Sequence, residues 1–268
     1  MNSVEPRDID AHPIAWRETG PVDGEVVLFL HGLGGSRTAW GPQLFALGAK
    51  GFRCAAWDMP GYGASAKPSA PLTFELLTDA VAVWINALGI DEAHVVGLSF
   101  GGMVAQHVAL RHPPVVRSLA LIGTSSAFGF DGVTTADAWV EQRLRPLREG
   151  ATPATIAEGV LRSVMGPDVD NSVVADAVSA MARITPEGLA GAVRCLVTHD
   201  ARDELHRISA PTLVMVGEHD LETPPSYAAH LAAAIPGARF EVIPGVGHIA
   251  NLEAPDAVNE MLIEFFAA

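Results

Sequence analysis

The clearest pattern in this chain is a set of short runs dominated by apolar residues. They fall at 25–30 (EVVLFL), 52–57 (FRCAAW), 93–96 (AHVV), 116–122 (VRSLALI), 211–216 (PTLVMV) and 239–243 (RFEVI). Most are too short for a helix and too continuous for a strand with one wet face, so they read as strands covered on both sides. Segments of helical spacing lie between them. Residues 40–49 come first, then 73–88, where Leu76, Leu77, Ala80, Val81, Trp84, Ile85 and Leu88 share a face and Gly89 is the stop. Residues 100–110 follow, ended by His112-Pro113-Pro114, and 225–235 and 257–266 come late. This alternation predicts an α/β fold, a mostly parallel central sheet flanked by helices. Residues 12–19 alternate weakly and read as an edge strand, with a turn from Gly20-Pro21 to Gly24.

At Asp131 the rhythm breaks. Through Asp200 no segment reads as a strand, and four amphipathic helices are expected instead, over 135–148, 153–165, 171–183 and 186–199. We therefore expect an α/β core made of residues 1–127 and 201–268, with an all-helical cap, residues 128–200, inserted into it. Leaving from the carboxyl edge of the sheet, such a cap forms a lid that shapes a pocket. The sequence contains no internal repeat, low-complexity tract or linker.

The chemistry concentrates where the run 93–96 meets the helix starting at Phe100. Between them lies Gly97-x-Ser99-x-Gly101, the pattern of a nucleophile elbow. A sharp strand-to-helix turn crowds the positions two before and two after the serine, which favours glycine at both. The turn lifts the hydroxyl above the strand and aims the helix N-terminus at it. Serine alone is a poor nucleophile. It needs a histidine to take its proton, and that histidine needs a carboxylate to fix its tautomer. Asp220 follows the run 211–216 and His248 follows 239–243, so both fall at carboxyl ends of strands, as Ser99 does. The candidate catalytic residues are Ser99, Asp220 and His248. Asp58, Glu218 and Glu222 are weaker candidates for the acid.

The run 25–30 ends in His31-Gly32-Leu33-Gly34-Gly35-Ser36. This glycine-rich loop lacks the spacing of a P-loop or a dinucleotide fingerprint. It fits the loop that supplies the second oxyanion donor opposite an elbow, which assigns the donors to the backbone N–H groups of Leu33 and Phe100. His31 then fixes the loop. His199, Asp200, Asp203 and His206 match no metal-ligand spacing and read as surface residues, so no metal is expected. For the pocket, the sequence offers Trp139, Met165 and Arg183 on the cap helices and Leu221 and Ile249 beside the acid and base.

Bulk properties narrow the partners. Of 268 residues, 49% are hydrophobic and the formal net charge is −14, so the chain has ample core and no basic face for nucleic acid or anionic membrane. The first ten residues are polar and acidic, unlike a signal peptide, and no apolar run approaches the ~20 residues of a membrane span. Two cysteines, Cys54 and Cys195, make no disulfide framework and fit a reducing cytoplasm. A homodimer is compatible with the sequence.

Taken together, these motifs resemble the α/β-hydrolase superfamily over essentially the whole chain. Two stretches resemble the 3-oxoadipate enol-lactonase group in particular. One runs from Arg183-Ile184-Thr185-Pro186-Glu187-Gly188-Leu189-Ala190-Gly191 to Ile208-Ser209-Ala210-Pro211-Thr212-Leu213, and the other from Thr223-Pro224-Pro225 to Ile235-Pro236-Gly237-Ala238. Phe100 follows the serine where that group often has methionine. The resemblance implies cofactor-free hydrolysis of a small-molecule ester or lactone through an acyl-enzyme, with a role in aromatic catabolism. Serine at the elbow, rather than aspartate, argues against alkyl-enzyme dehalogenase or epoxide hydrolase chemistry. Three alternatives share the fold: a C–C bond hydrolase of a vinylogous diketone, a perhydrolase or haloperoxidase, and a ligand-binding receptor.

Overall fold

The computed structural model describes residues 5–130, 132 and 135–268; Met1–Val4 and Asp131, Val133 and Thr134, at the expected break in rhythm, lie outside the described residues. Eight strands form one sheet: β1 (Arg7–Ile9), β2 (Trp16–Thr19), β3 (Val26–Leu30), β4 (Arg53–Trp57), β5 (Ala93–Leu98), β6 (Val116–Ile122), β7 (Thr212–Gly217) and β8 (Arg239–Ile243). Their spatial order is β1-β2-β4-β3-β5-β6-β7-β8. Pairing is parallel from β4 to β8, while β1 and β2 run antiparallel at one side. The helices are α1 (Gly41–Ala49), α2 (Phe74–Leu88), α3 (Phe100–Arg111), α4 (Ala136–Arg148), α5 (Pro153–Val164), α6 (Asn171–Met181), α7 (Pro186–Leu196), α8 (Pro225–Ala234), α9 (Ala250–Glu253) and α10 (Pro255–Phe266).

The apolar runs are continuous because both faces of the sheet are buried. Leu28, Leu30, Val95, Leu119, Leu121, Val214 and Val216 point to one face and meet Leu77, Val81 and Trp84 of α2, Val104 and Val108 of α3 and Leu231 of α8. The alternate positions Val27, Phe29, Val96, Leu98, Ala120, Ile122 and Met215 face the other way, onto Leu44 and Leu47 of α1 and Val258 and Leu262 of α10. Residue period two thus divides each run between two cores. Helix α2 starts and stops at side chains legible in the sequence: the Thr73 hydroxyl accepts from the N–H of Leu76, and Gly89 closes the helix at φ 72°.

The register brings the functional loops to one edge. Leu30 pairs with Gly97, Leu98 with Ile122, Ile122 with Met215 and Gly217 with Ile243, so the loops after β3, β5, β6, β7 and β8 leave side by side. Four helices, α4 to α7, stand between β6 and β7. The chain enters and leaves them at one neck, where Ala127 bridges Asp200, Phe128 N–H donates to His199 O (2.9 Å) and Ala201 N–H to Ser126 O (2.9 Å).

Three expectations need correction. The strand within 12–19 is only Trp16–Thr19 and is not an edge, because β1 lies outside it. Strand β1, three residues long, is too short for an apolar signature; it pairs antiparallel with β2, Ile9 packs against the core, and ion pairs Arg7–Glu18 (2.5 Å) and Arg17–Asp8 (2.7 Å) flank it. The closing helix starts at Pro255 rather than 257 and is preceded by α9, whose four residues are too few for periodicity to register. His199 is not a surface residue. It is 2% exposed, its Nε2 donates to Ser125 O (2.9 Å), and its Nδ1 lies 3.1 Å from His107 Nε2. Burial drives its pKa down to about 3, so it is neutral in this position.

Candidate active site

Ser99 ends β5 and starts α3. Its backbone, at φ 53° and ψ −119°, has the only positive φ of any non-glycine residue described. The reason is crowding. A Cβ on Gly97 would fall 2.4 Å from Gly101 O, and one on Gly101 would fall 2.0 Å from Leu30 O. The turn is pinned by Ser99 N–H donating to Ile122 O (2.9 Å) and by the Thr124 hydroxyl donating to Ser99 O (2.9 Å).

The His248 Nε2 accepts from the Ser99 hydroxyl at 2.9 Å, and its Nδ1–H donates to Asp220 Oδ2 at 2.8 Å. Asp220 is itself saturated: Oδ1 accepts from the N–H groups of Glu222 and Thr223, and Oδ2 also accepts from the Thr223 hydroxyl, each at 2.9 Å. Burial by itself would raise the Asp220 carboxyl, but the charge and hydrogen bond of His248 and the Thr223 bonds hold it below the usual carboxylate range. Burial likewise works to lower the His248 pKa. The Asp220 charge and hydrogen bond, aided by Glu222 and Glu253, outweigh it and leave the imidazole above its ordinary value. The rival acids are engaged elsewhere. Asp58 is fully buried and accepts from the N–H groups of Arg37 (3.0 Å) and Ala64 (3.1 Å). Glu218 accepts from Gly245 N–H, and Glu222 pairs with Arg143.

Opposite the elbow, Gly32 packs so closely that a Cβ there would stand 3.2 Å from Ser99 Cβ. His31 holds this loop: Nε2 accepts from Met59 N–H (3.1 Å), Nδ1–H donates to Gly32 O (2.9 Å), and the ring stacks on Tyr62. Burial lowers its pKa. The N–H groups of Leu33 and Phe100 have no protein acceptor among the described residues. Phe100, as the first residue of α3, carries one of the orphan donors of a helix N-terminus.

A cavity of about 670 Å³ opens over Ser99 and His248, between the sheet edge and α4 to α7. Of the residues offered for the pocket, Trp139 and Ile249 line it and Met165, Arg183 and Leu221 do not; Leu33 lines it too. Met165 caps α5 and packs into the core, and Arg183 lies exposed beyond α6. Leu221 is 82% exposed, because the turn that folds Glu222 and Thr223 back onto Asp220 throws the intervening side chain outward. Sequence reasoning missed Arg143, which lines the cavity, and Glu253, which does not. Glu253 accepts three backbone N–H bonds around the histidine loop: Gly166 (2.7 Å) and Gly247 (2.9 Å) on Oε2, and Ile249 (2.9 Å) on Oε1. A carboxylate on a four-residue helix five positions after a histidine is its only sequence trace.

Among the described residues no helix is long and apolar enough to cross a membrane. Comparison with known proteins agrees with this architecture. Over 91% of this chain and 95% of its own length, a candidate non-heme bromoperoxidase of Mycobacterium tuberculosis, BpoC, is 31% identical. The 3-oxoadipate enol-lactonase 2 of Acinetobacter baylyi is 28% identical over 90% of this chain and 88% of that one. The crystal structure of an enol-lactonase from Burkholderia xenovorans superposes with a TM-score of 0.87 at 28% identity, covering 98% of this chain and all of the other. The family model described as the alpha/beta hydrolase fold matches residues 25–255, and with the sheet, elbow and loops described above it follows that the chain belongs to the α/β-hydrolase family.

Proposed function

We propose that this protein hydrolyses carboxylic esters or lactones through an acyl-enzyme on Ser99. The observation that carries the reading is the unbroken hydrogen-bond chain Asp220–His248–Ser99 beneath the cavity, beside two unengaged backbone donors. Ser99 Oγ attacks the carbonyl carbon as its proton passes to His248 Nε2. Charge develops on the carbonyl oxygen, where the N–H groups of Leu33 and Phe100 and the α3 N-terminus stabilise it. The tetrahedral intermediate collapses, the C–O bond breaks, and the leaving alkoxide or enolate takes the proton from His248. Water, deprotonated by the same imidazole, then attacks the acyl carbon; the Ser99 Oγ–acyl bond breaks as Oγ takes the proton back from His248, and the acid leaves. Asp220 stays ionised throughout, orienting the ring and stabilising its charged form. No cofactor is required. The helices α4 to α7 act as the cap that selects the substrate. Both cysteines are buried and unpaired, which suits a reducing compartment such as the cytoplasm.

The test is turnover of p-nitrophenyl esters and a panel of lactones, a muconolactone-derived enol-lactone among them, by wild type and Ser99→Ala. The reading expects turnover by wild type, its loss in the variant, and a covalent adduct on Ser99 with a sulfonyl fluoride. Turnover that survives Ser99→Ala would refute it.

A further inference from the structure

The cavity shows which esters fit. Its walls are supplied by all four cap helices and are mostly apolar, with Trp139 from α4, Ile156 and Leu161 from α5, Met181 from α6, and Val193 and Leu196 from α7. Apart from the two histidines of the site, Arg143 is the one basic side chain in that wall and Glu222 the one acidic side chain, among the described residues. They are not independent. Arg143 Nη2 donates to both Glu222 oxygens, at 3.0 and 3.2 Å, and the guanidinium carbon lies 5.0 Å from the centre of the Trp139 ring. Arg143 Nε is buried with no hydrogen-bond partner, while the Arg143 and Glu222 side chains remain 28% and 36% exposed, so the pair stands where the cavity meets solvent. Glu222 follows the acid Asp220 by two residues and helps hold up the His248 pKa, which places this neutralised pair on the triad side of the cavity.

A carboxylate entering this space would meet a cation already paired with Glu222 and, beyond it, a mostly apolar wall whose remaining polar side chains, such as Gln142 and Thr155, are uncharged. It would have to give up much of its water there, a penalty for an unpaired charge, or compete with Glu222 for Arg143. A protein with a net charge of −14 also repels an acidic ligand on approach. Uncharged hydrocarbon, in contrast, gains from every methylene it buries.

We propose that the substrate is an uncharged, largely apolar ester or lactone carrying a medium-length acyl or alkyl chain, and that Glu222 determines this preference by occupying Arg143. The inference rests on the esterase reading above and narrows it away from carboxylate-bearing lactones. Glu222 acts through Arg143 and is a specificity residue, not a catalytic one.

The experiment compares kcat/KM for p-nitrophenyl hexanoate with that for mono-p-nitrophenyl adipate, which has the same carbon count and a terminal carboxylate. Because one triad processes both, their ratio cancels any effect of a substitution on the chemical step. Wild type is expected to favour hexanoate by at least about 100-fold, the order set by burying an unpaired charge. From acetate to hexanoate its kcat/KM should climb by about fourfold per methylene, the equivalent of the ~0.8 kcal/mol transfer free energy of a CH₂. Glu222→Gln frees the guanidinium and should shift the ratio toward adipate by about tenfold or more; adding Arg143→Gln should abolish that gain. Equal turnover of the two esters by wild type, or a flat chain-length series, would overturn the proposal, as would an unmoved ratio in Glu222→Gln. Both esters inert, or both still cleaved by Ser99→Ala, would instead overturn the esterase reading and this inference with it.

Discussion

Replacing Glu253 by alanine tests whether His248 is held in place from outside the proposed triad. The carboxylate accepts from Gly166, Gly247 and Ile249, residues that bracket His248 and tie its loop to the end of α5. A hydrogen bond to a charged acceptor contributes about 1.5–3 kcal/mol when its donor would otherwise be left alone. Glu253 is half-buried, so water can replace part of this. Three bonds at a discounted ~1 kcal/mol each give about 3 kcal/mol, which for a chain of this size lowers Tm by roughly 6–12 °C. The loop retains the bond from His248 N–H to Val164 O, so it is loosened rather than lost. A displacement near 1 Å between base and nucleophile costs up to about 100-fold in rate. Glu253→Ala should therefore lower kcat by about 10–100-fold with little change in KM, measured well below its own Tm by ester turnover and differential scanning calorimetry. Glu253→Gln, which keeps one oxygen able to serve Gly166 and Gly247, should fall between. Wild-type kcat in a destabilised Glu253→Ala would refute the positioning argument and leave only a structural bond; wild-type Tm as well would refute the energetic one.

Other expectations follow from the same geometry. Since the proposed mechanism needs His248 neutral to act as base and its pKa is raised above 6.5, the acid limb of kcat/KM should fall at a pH above that of an ordinary histidine. Asp220→Asn removes the main cause of the elevation, so its limb should move to lower pH while kcat drops about 10⁴-fold; an unmoved limb would place the control elsewhere. On stability, the raised His248 contributes below its unfolded pKa and ceases to as pH rises through the folded value. The lowered Asp220 contributes above its unfolded pKa and ceases to as pH falls through the folded one. Urea titrations of wild type and Asp220→Asn across pH read this difference. Gly101→Ala, whose Cβ would meet Leu30 O at 2.0 Å and His31 O at 2.7 Å, should cost at least ~3 kcal/mol or prevent folding, as a thermal melt will show.

The parts of this molecule legible in the sequence are those whose signal is local. The runs around Val27, Val95, Leu119 and Val214 are continuous because the sheet is buried on both faces, and Gly97 and Gly101 are required by a turn that spans five residues. Ser99, Asp220 and His248 can be picked out as residues at strand ends, and the parallel register brings those ends to one edge. Orientation across helices is not local. Trp139 faces the cavity, while Met165 and Arg183 fall just past the ends of α5 and α6, where helical spacing no longer sets direction and packing turns one into the core and leaves the other exposed. Leu221 misled for a related reason: adjacency to Asp220 in sequence says nothing of direction when the turn folds back on the carboxylate. Strand β1 escaped notice because three residues with one apolar side chain, Ile9, are too few for a period to register, and His199 because its burial depends on His107 and Ser125, far away in the chain.

The backbone of Ser99 carries a further meaning for how this protein responds to selection. A non-glycine residue at φ 53° and ψ −119° stores about 1–3 kcal/mol of strain. Glycine would relieve it, at a cost of roughly 0.5–1 kcal/mol in the added freedom of the unfolded chain. Ser99→Gly is thus expected to match or exceed the wild type in stability while lacking the proposed nucleophile, a result that paired melts and activity assays would reveal. A library sorted on heat resistance alone would enrich inactive members at this position. Robustness and turnover pull against each other at one residue, and only a screen that reads both will keep the serine.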